Sequence, residues 1–153
     1  MSHPSASPAP ASVSAVFRSI VPIQVRFNDV DIMGHVSNTV YQNYFDQGKL
    51  HYFDEVLPDM DHQNLGVVGA SVKIDYLRPI YMKTHLLVET RVSRLGKKSF
   101  TMEHRLVEEA TGEILSTCSA VLVCFSAARQ ESFPIPEHWR HNILTFDQGV
   151  VEQ

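Results

Sequence analysis

The chain has 153 residues, a formal charge of −4, 44% hydrophobic residues and 20% charged residues. That length suits one domain with a core of its own, and the mild acidity argues against bulk binding to nucleic acid or an anionic membrane. No window approaches the roughly 18 apolar residues that a membrane-crossing helix needs.

Residues 1–17 are expected to be a disordered tail, because MSHPSASPAPASVSAV is Ser, Ala and Pro with no Lys or Arg. It lacks the basic region and apolar run of a secretory signal. Ile20 to Phe27 reads as a first strand, with Val21, Ile23, Val25 and Phe27 sharing one face at period two. Then comes the stretch Val25-Arg26-Phe27-Asn28-Asp29-Val30-Asp31-Ile32-Met33-Gly34-His35-Val36-Ser37-Asn38. An apolar strand ends in two carboxylates, a Gly-His turn follows, and Ser37 or Asn38 caps a helix. Asp29 reads as a structural partner for Arg26 or for the loop.

Tyr41, Phe45, Gly48, Tyr52 and Val56 fall on one helical stripe. Gly48 costs about 1 kcal/mol in a helix interior, so its presence predicts a close approach to a sheet. Leu57-Pro58-Asp59 stops the helix, and Met60 to Gly66 reads as a surface loop. Val68 to Tyr76 then alternates at period two, and Leu86 to Val92 forms the next strand. Arg94-Leu95-Gly96-Lys97-Lys98 is a hairpin turn, after which Phe100, Met102 and Leu106 mark another strand. A Gly-containing turn at Ala110 to Glu113 leads into a last strand, Ile114 to Phe125, that is apolar on both faces toward its end. A short helix through Trp139 follows Phe133-Pro134-Ile135-Pro136, and the remainder to Gln153 is expected to carry little structure.

Strand, long helix, then four strands joined by short turns is an α+β order, one antiparallel sheet with a single helix against it. Cys118 and Cys124 lie on one strand at about 20 Å, beyond disulfide reach. They read as reduced core thiols of a cytoplasmic protein. No HExxH or Cys-His spacing points to a metal, and there is no GxSxG elbow or P-loop.

Asp31-x-x-Gly34-His35-Val36-Ser37-Asn38-x-x-Tyr41, after Val25-Arg26-Phe27 and before an aromatic-rich helix, resembles the 4-hydroxybenzoyl-CoA thioesterase family of hotdog-fold proteins. The likeness runs from about Pro22 to Phe125, including Tyr76-Leu77-Arg78-Pro79. Two departures are Ser37, where the family has Asn, and Asp46-Gln47-Gly48-Lys49, where it has Glu-x-Ala-Arg. The resemblance implies a sheet wrapped around its helix, here of about five strands; one domain is expected over 18–145, with a tail at 146–153. It implies homodimers or homotetramers with clefts between subunits, an acyl-CoA or acyl-carrier thioester as substrate, and no cofactor. Asp31 is implied as the catalytic carboxylate, and the backbone N–H near Asn38 as the oxyanion donor.

The chemistry suits such a site. A departing thiol, with a pKa of about 8.5, leaves as thiolate with little acid help. One carboxylate beside a helix N-terminus is then enough, with Asp31 acting on water or on the carbonyl itself. His35 is expected to orient the turn or Asp31; Ser37, Asn38 and Tyr41 are expected to line the site. Arg94, Lys97 and Lys98, with Arg91 and Arg105 nearby, are the densest cations and offer a clamp for coenzyme A phosphates. As a solvated hairpin they would instead discourage edge pairing. Two other readings of the same residues are a non-hydrolytic acyl-thioester binder and an enoyl-thioester hydratase or dehydratase using Asp31 with His35.

Overall fold

The computed structural model describes residues 15–153. Five long strands, β1 (Ser19–Ile23), β2 (Gly66–Tyr76), β3 (Leu86–Leu95), β4 (Ser99–Glu108) and β5 (Ile114–Ser126), pair antiparallel in the spatial order β1-β3-β4-β5-β2. The long helix α1 (Asn38–Val56) lies against one face, which is the α+β arrangement expected.

Why the helix seats there is visible in its buried stripe: Tyr41, Tyr44, Phe45, Gly48, Tyr52, Phe53 and Val56. The N-terminal half packs with Val88, Leu106 and Leu115, and the C-terminal half with Val92, Phe100, Met102 and Leu122. Gly48 is the point of closest approach. A Cβ built there would stand 2.7 Å from Thr90 Oγ1 and 2.8 Å from Val88 Cγ2. Both belong to β-branched side chains with little rotamer freedom.

The first strand is shorter than expected, and Phe27 does not share its inward face. It is 83% exposed and begins a single 3₁₀ turn, Phe27–Asp29. The cause is Asp29, whose carboxylate accepts the Arg26 N–H at 2.9 Å while its own N–H bonds the Arg26 carbonyl at 2.9 Å. That local turn draws the chain off the sheet.

The chain after Trp139 also differs from expectation. Helix α2 (Glu137–Phe146) buries Trp139 and Ile143, and a two-residue strand, Val151–Glu152, runs parallel to the end of β3. Trp139 donates to Asp59 at 2.8 Å, Asn142 donates to the Val56 carbonyl at the end of α1 at 3.0 Å, and Asp147 accepts from Tyr52 at 2.6 Å and from the Val92 N–H at 2.9 Å. These partners lie 50 to 100 positions away in sequence, so local periodicity does not reveal them.

Of the expected tail, residues 1–14 fall outside the described residues. Phe17 stands 4.1 Å from the Arg105 guanidinium on the outer face of the sheet. Cys118 and Cys124 are both free and buried, and burial pushes each thiol up to about 11. Among the described residues no helix is long and apolar enough to cross a membrane.

Gly48→Ala gains helix propensity but forces a methyl into Val88 and Thr90, a clash that outweighs the gain. A net loss of about 1 kcal/mol or more is expected in urea unfolding.

Candidate active site

The segment between β1 and α1 is a small hairpin with a bridge from Val30 to Val36. Gly34 sits at φ +80°, a left-handed conformation that closes the turn, with its N–H bonding the Asp31 carbonyl at 3.0 Å. The Asp31 N–H bonds the His35 carbonyl at 2.9 Å.

Three attachments hold this hairpin. Tyr44 from the buried face of α1 donates to the Asp29 carboxylate at 2.7 Å; burial, and then that bond, push the phenol well above its ordinary value. The Val36 N–H bonds the Ile80 carbonyl at 2.8 Å, and His35 bridges to Tyr81 with their rings edge to face at 5.1 Å. Asp29 therefore serves the loop, as expected, through the backbone N–H of Arg26 rather than its guanidinium.

Asp31 follows from that frame. One carboxylate oxygen, Oδ1, accepts the Met33 N–H at 2.9 Å, which orients the group; Oδ2 has no hydrogen-bond partner among the described residues. No side-chain bond joins Asp31 to His35; their link is through the backbone. In the single chain Asp31 is exposed, and so are Ile32, Met33, Tyr76, Leu77 and Tyr81 around the same end of the sheet.

Ser37 takes the N-cap position of α1 and makes no side-chain cap. The amides of Asn38 and Thr39 in the first turn are therefore left for another acceptor, at the positive end of the macrodipole. Asn38 is the first helical residue, and its carbonyl accepts from Tyr76 at 3.3 Å. Tyr41 is buried beneath, with its ring 4.8 Å from that of Tyr76. Asp31, His35, Ser37, Asn38 and Tyr41 are thus one neighbourhood.

Arg94, Lys97 and Lys98 are not part of it within one chain. They sit at the β3–β4 turn, whereas the Asp31 hairpin lies beyond the other end of β3, about 30 Å away for a ten-residue strand. Of the flanking cations, Arg91 pairs with Glu103 at 3.7 Å and bonds the Gln148 carbonyl, and Arg105 pairs with Glu89. The cations on the segments around the hairpin are others: Arg26 at its base, Arg78, bonded to Glu113 at 3.0 Å, and Lys83, two residues from Tyr81.

A cavity of about 400 Å³ opens between α1 and β2, with Gln42, Asp46 and Lys49 above and Val72, His104 and Ala120 below. His104 is a site-lining residue outside the set expected from the sequence. Its signal was a lone histidine at an inward position in the Phe100, Met102, Leu106 alternation. Burial, and then the neighbouring Lys49 charge, lower its pKa to about 4. Among the described residues no group of three or more His, Cys, Asp or Glu could hold a metal ion.

A sequence model of the thioesterase-like superfamily matches residues 25–143. The chain belongs to that superfamily. It is 31% identical over 101 residues to YsmA of Bacillus subtilis, an uncharacterized protein, covering 66% of this chain and 68% of that one. It is 24% identical over 122 residues to the acyl-CoA thioesterase YbgC of Haemophilus influenzae, covering 76% of this chain and 87% of that one. A Thermus thermophilus thioesterase structure, complexed with coenzyme A and zinc, superposes with a TM-score of 0.74 at 32% identity, covering 85% of this chain and 95% of that one.

A histidine held neutral by burial makes stability fall as pH falls. Above about 6.5 His104 is neutral folded and unfolded alike; between 6.5 and about 4 the unfolded chain takes a proton that the folded chain refuses. Wild type should lose about 2 kcal/mol more than His104→Gln between pH 7 and pH 5, measured by paired urea unfolding curves.

Proposed function

We propose that this protein hydrolyses an acyl-CoA thioester, with Asp31 as the reacting carboxylate and the first-turn amides of α1 as the oxyanion site. The observation that carries the reading is a half-tethered carboxylate on a fixed hairpin that runs directly into an uncapped helix N-terminus. Oδ1 is spent on the Met33 N–H. Oδ2 remains to take a proton from water or to attack the carbonyl carbon. By either route the C–S bond breaks, coenzyme A leaves as thiolate, and the carbonyl oxygen's transient charge rests on the Asn38 and Thr39 N–H groups. The second route passes through a mixed anhydride that water opens. A relative that is an acyl-CoA thioesterase and a similar structure with bound coenzyme A support the same substrate class.

The working unit is proposed to be a homodimer formed across β2. This eleven-residue edge strand is exposed along nearly its whole length, including Val68, Val72 and Tyr76. A long apolar free edge is an unstable surface for a lone chain. A second copy paired antiparallel on it would cover these residues and turn the exposed Asp31 surface into a cleft. Such pairing lays the far end of one sheet beside the near end of the other. Coenzyme A phosphates would then meet Arg78 and Lys83 of one chain, or the Arg94, Lys97 and Lys98 turn of the second copy.

Asp31→Asn should lower kcat for acyl-CoA hydrolysis at least about 100-fold, with the unfolding midpoint and the affinity for a thioether acyl-CoA analogue little changed. Turnover near wild type in a thiol-release assay would contradict the assignment.

The paired change Val68→Lys and Val72→Lys puts like charges on the edge. It should shift the protein from dimer to monomer in sedimentation and remove activity with it. A variant that stays dimeric places the interface elsewhere.

A further inference from the structure

The cavity between α1 and β2 contains one feature that a plain acyl pocket has no use for. His104 is 3% exposed, and its ring lies 5.8 Å from that of Phe45 on the helix. Nδ1 is paired with Thr90 Oγ1 at 2.9 Å. Nε2 has no hydrogen-bond partner among the described residues, and it is not one of the sealed, unsatisfied buried atoms, which are Arg91 Nε and Asp147 Oδ1. It therefore keeps accessible surface; His104 lines this cavity and a second one beside Asp75, Arg105 and Thr117, and the ring's contact with Phe45 of α1 puts it on the side of the first. The rim above it is polar too: Gln42 donates to Asp46 at 3.1 Å, and Asp46 pairs with Lys49 at 3.1 Å.

The spacing relates this nitrogen to the proposed reaction. Asn38 and Phe45 are seven residues apart on one helix, a rise of about 10 Å. An acyl chain whose carbonyl sits on the Asn38 amide and whose tail follows α1 reaches the His104 ring after about the length of an octanoyl group. A wholly apolar tail would strand Nε2 away from water, and a buried polar atom left unpaired is destabilising.

Resting on the thioesterase reading, we propose that this cavity is the acyl subsite and that it selects acyl groups carrying a hydroxyl at the far end, hydrogen-bonded to His104 Nε2. A hydroxyl fits because it both donates and accepts, and so satisfies either tautomer of the ring. The imidazole is neutral well below physiological pH, because burial lowers its pKa to about 4. A carboxylate tail would face Asp46, already paired with Lys49, and an ammonium tail would lose its water with no free anion to replace it. His104 is then a specificity residue; it touches the substrate tail and takes no part in breaking the thioester.

The test compares omega-hydroxyoctanoyl-CoA with octanoyl-CoA on the full chain, by thiol release and by calorimetric binding of the matching thioether analogues. Wild type should favour the hydroxylated substrate in kcat/KM by about tenfold. His104→Leu should bring that ratio to one or below, and His104→Gln should retain part of the preference. If His104→Leu does not fold, Ala120→Leu, which narrows the same cavity, should depress both octanoyl substrates relative to acetyl-CoA. Hydrolysis of both octanoyl substrates at equal rates by wild type overturns the subsite and leaves the thioesterase reading standing. Preferential binding of the hydroxylated analogue with no thiol released overturns the thioesterase reading and leaves the subsite standing. Binding of neither analogue overturns both.

Discussion

Helix α1 sits close to one half of its sheet because Gly48 lets its backbone down onto Val88 and Thr90 of β3. The rest of the molecule's useful geometry follows from that off-centre seat. On the β1–β3 side the helix is sealed by Tyr44, Phe45, Val88 and Leu86. On the opposite side the helix and the edge strand β2 stand apart, and the space between them is the cavity that runs from Gln42 to Lys49. A side chain at position 48 would lift the helix from the sheet and change both sides together.

The same seat fixes the end that carries Asp31. Tyr44 is buried on the sealed side, and its hydroxyl reaches Asp29. Asp29 in turn bonds the Arg26 amide and its carbonyl accepts the Ser37 N–H at 2.9 Å. The hairpin bearing Asp31 is thereby locked to the helix whose first turn is proposed to supply the donors. Preorganisation of this kind makes an oxyanion site effective, because the donors need not move when charge develops. It also explains how an exposed carboxylate keeps a defined direction without burial.

Much of this was legible in the residues. Gly48 announced the close helix–sheet contact, and the strand–carboxylate–Gly-His–helix order announced a carboxylate-bearing turn that leads into the helix. Asp29 was readable as a loop partner, though not the tyrosine that holds it, since Tyr44 read only as helix core. The end of β1 was misjudged because Phe27 continues the apolar alternation, and only the Asp29 turn removes it from the sheet. The start of helix α2 at Trp139 was readable, but its run to Phe146 and the ordered chain beyond it were not, because Trp139, Asn142 and Asp147 are fixed by distant partners, Asp59, Val56 and Tyr52. His104 stood out of its strand pattern, but a lone inward histidine means something only once a cavity is seen beneath a helix. The Arg94 to Lys98 turn shows the reverse problem. Charge density along the chain does not say at which end of a sheet the charges lie.

The proposed chemistry requires an acyl carbonyl lying between the Asp31 carboxylate and the open amides of the first turn of α1. A crystal structure of the protein with a thioether analogue of an acyl-CoA measures that directly. The analogue's carbonyl oxygen should lie within hydrogen-bond distance of the Asn38 or Thr39 N–H, with Asp31 Oδ2 about 3–3.5 Å from the carbonyl carbon or from a water poised over it. A carbonyl bound elsewhere, with Asp31 still facing bulk water in the assembled protein, would contradict it.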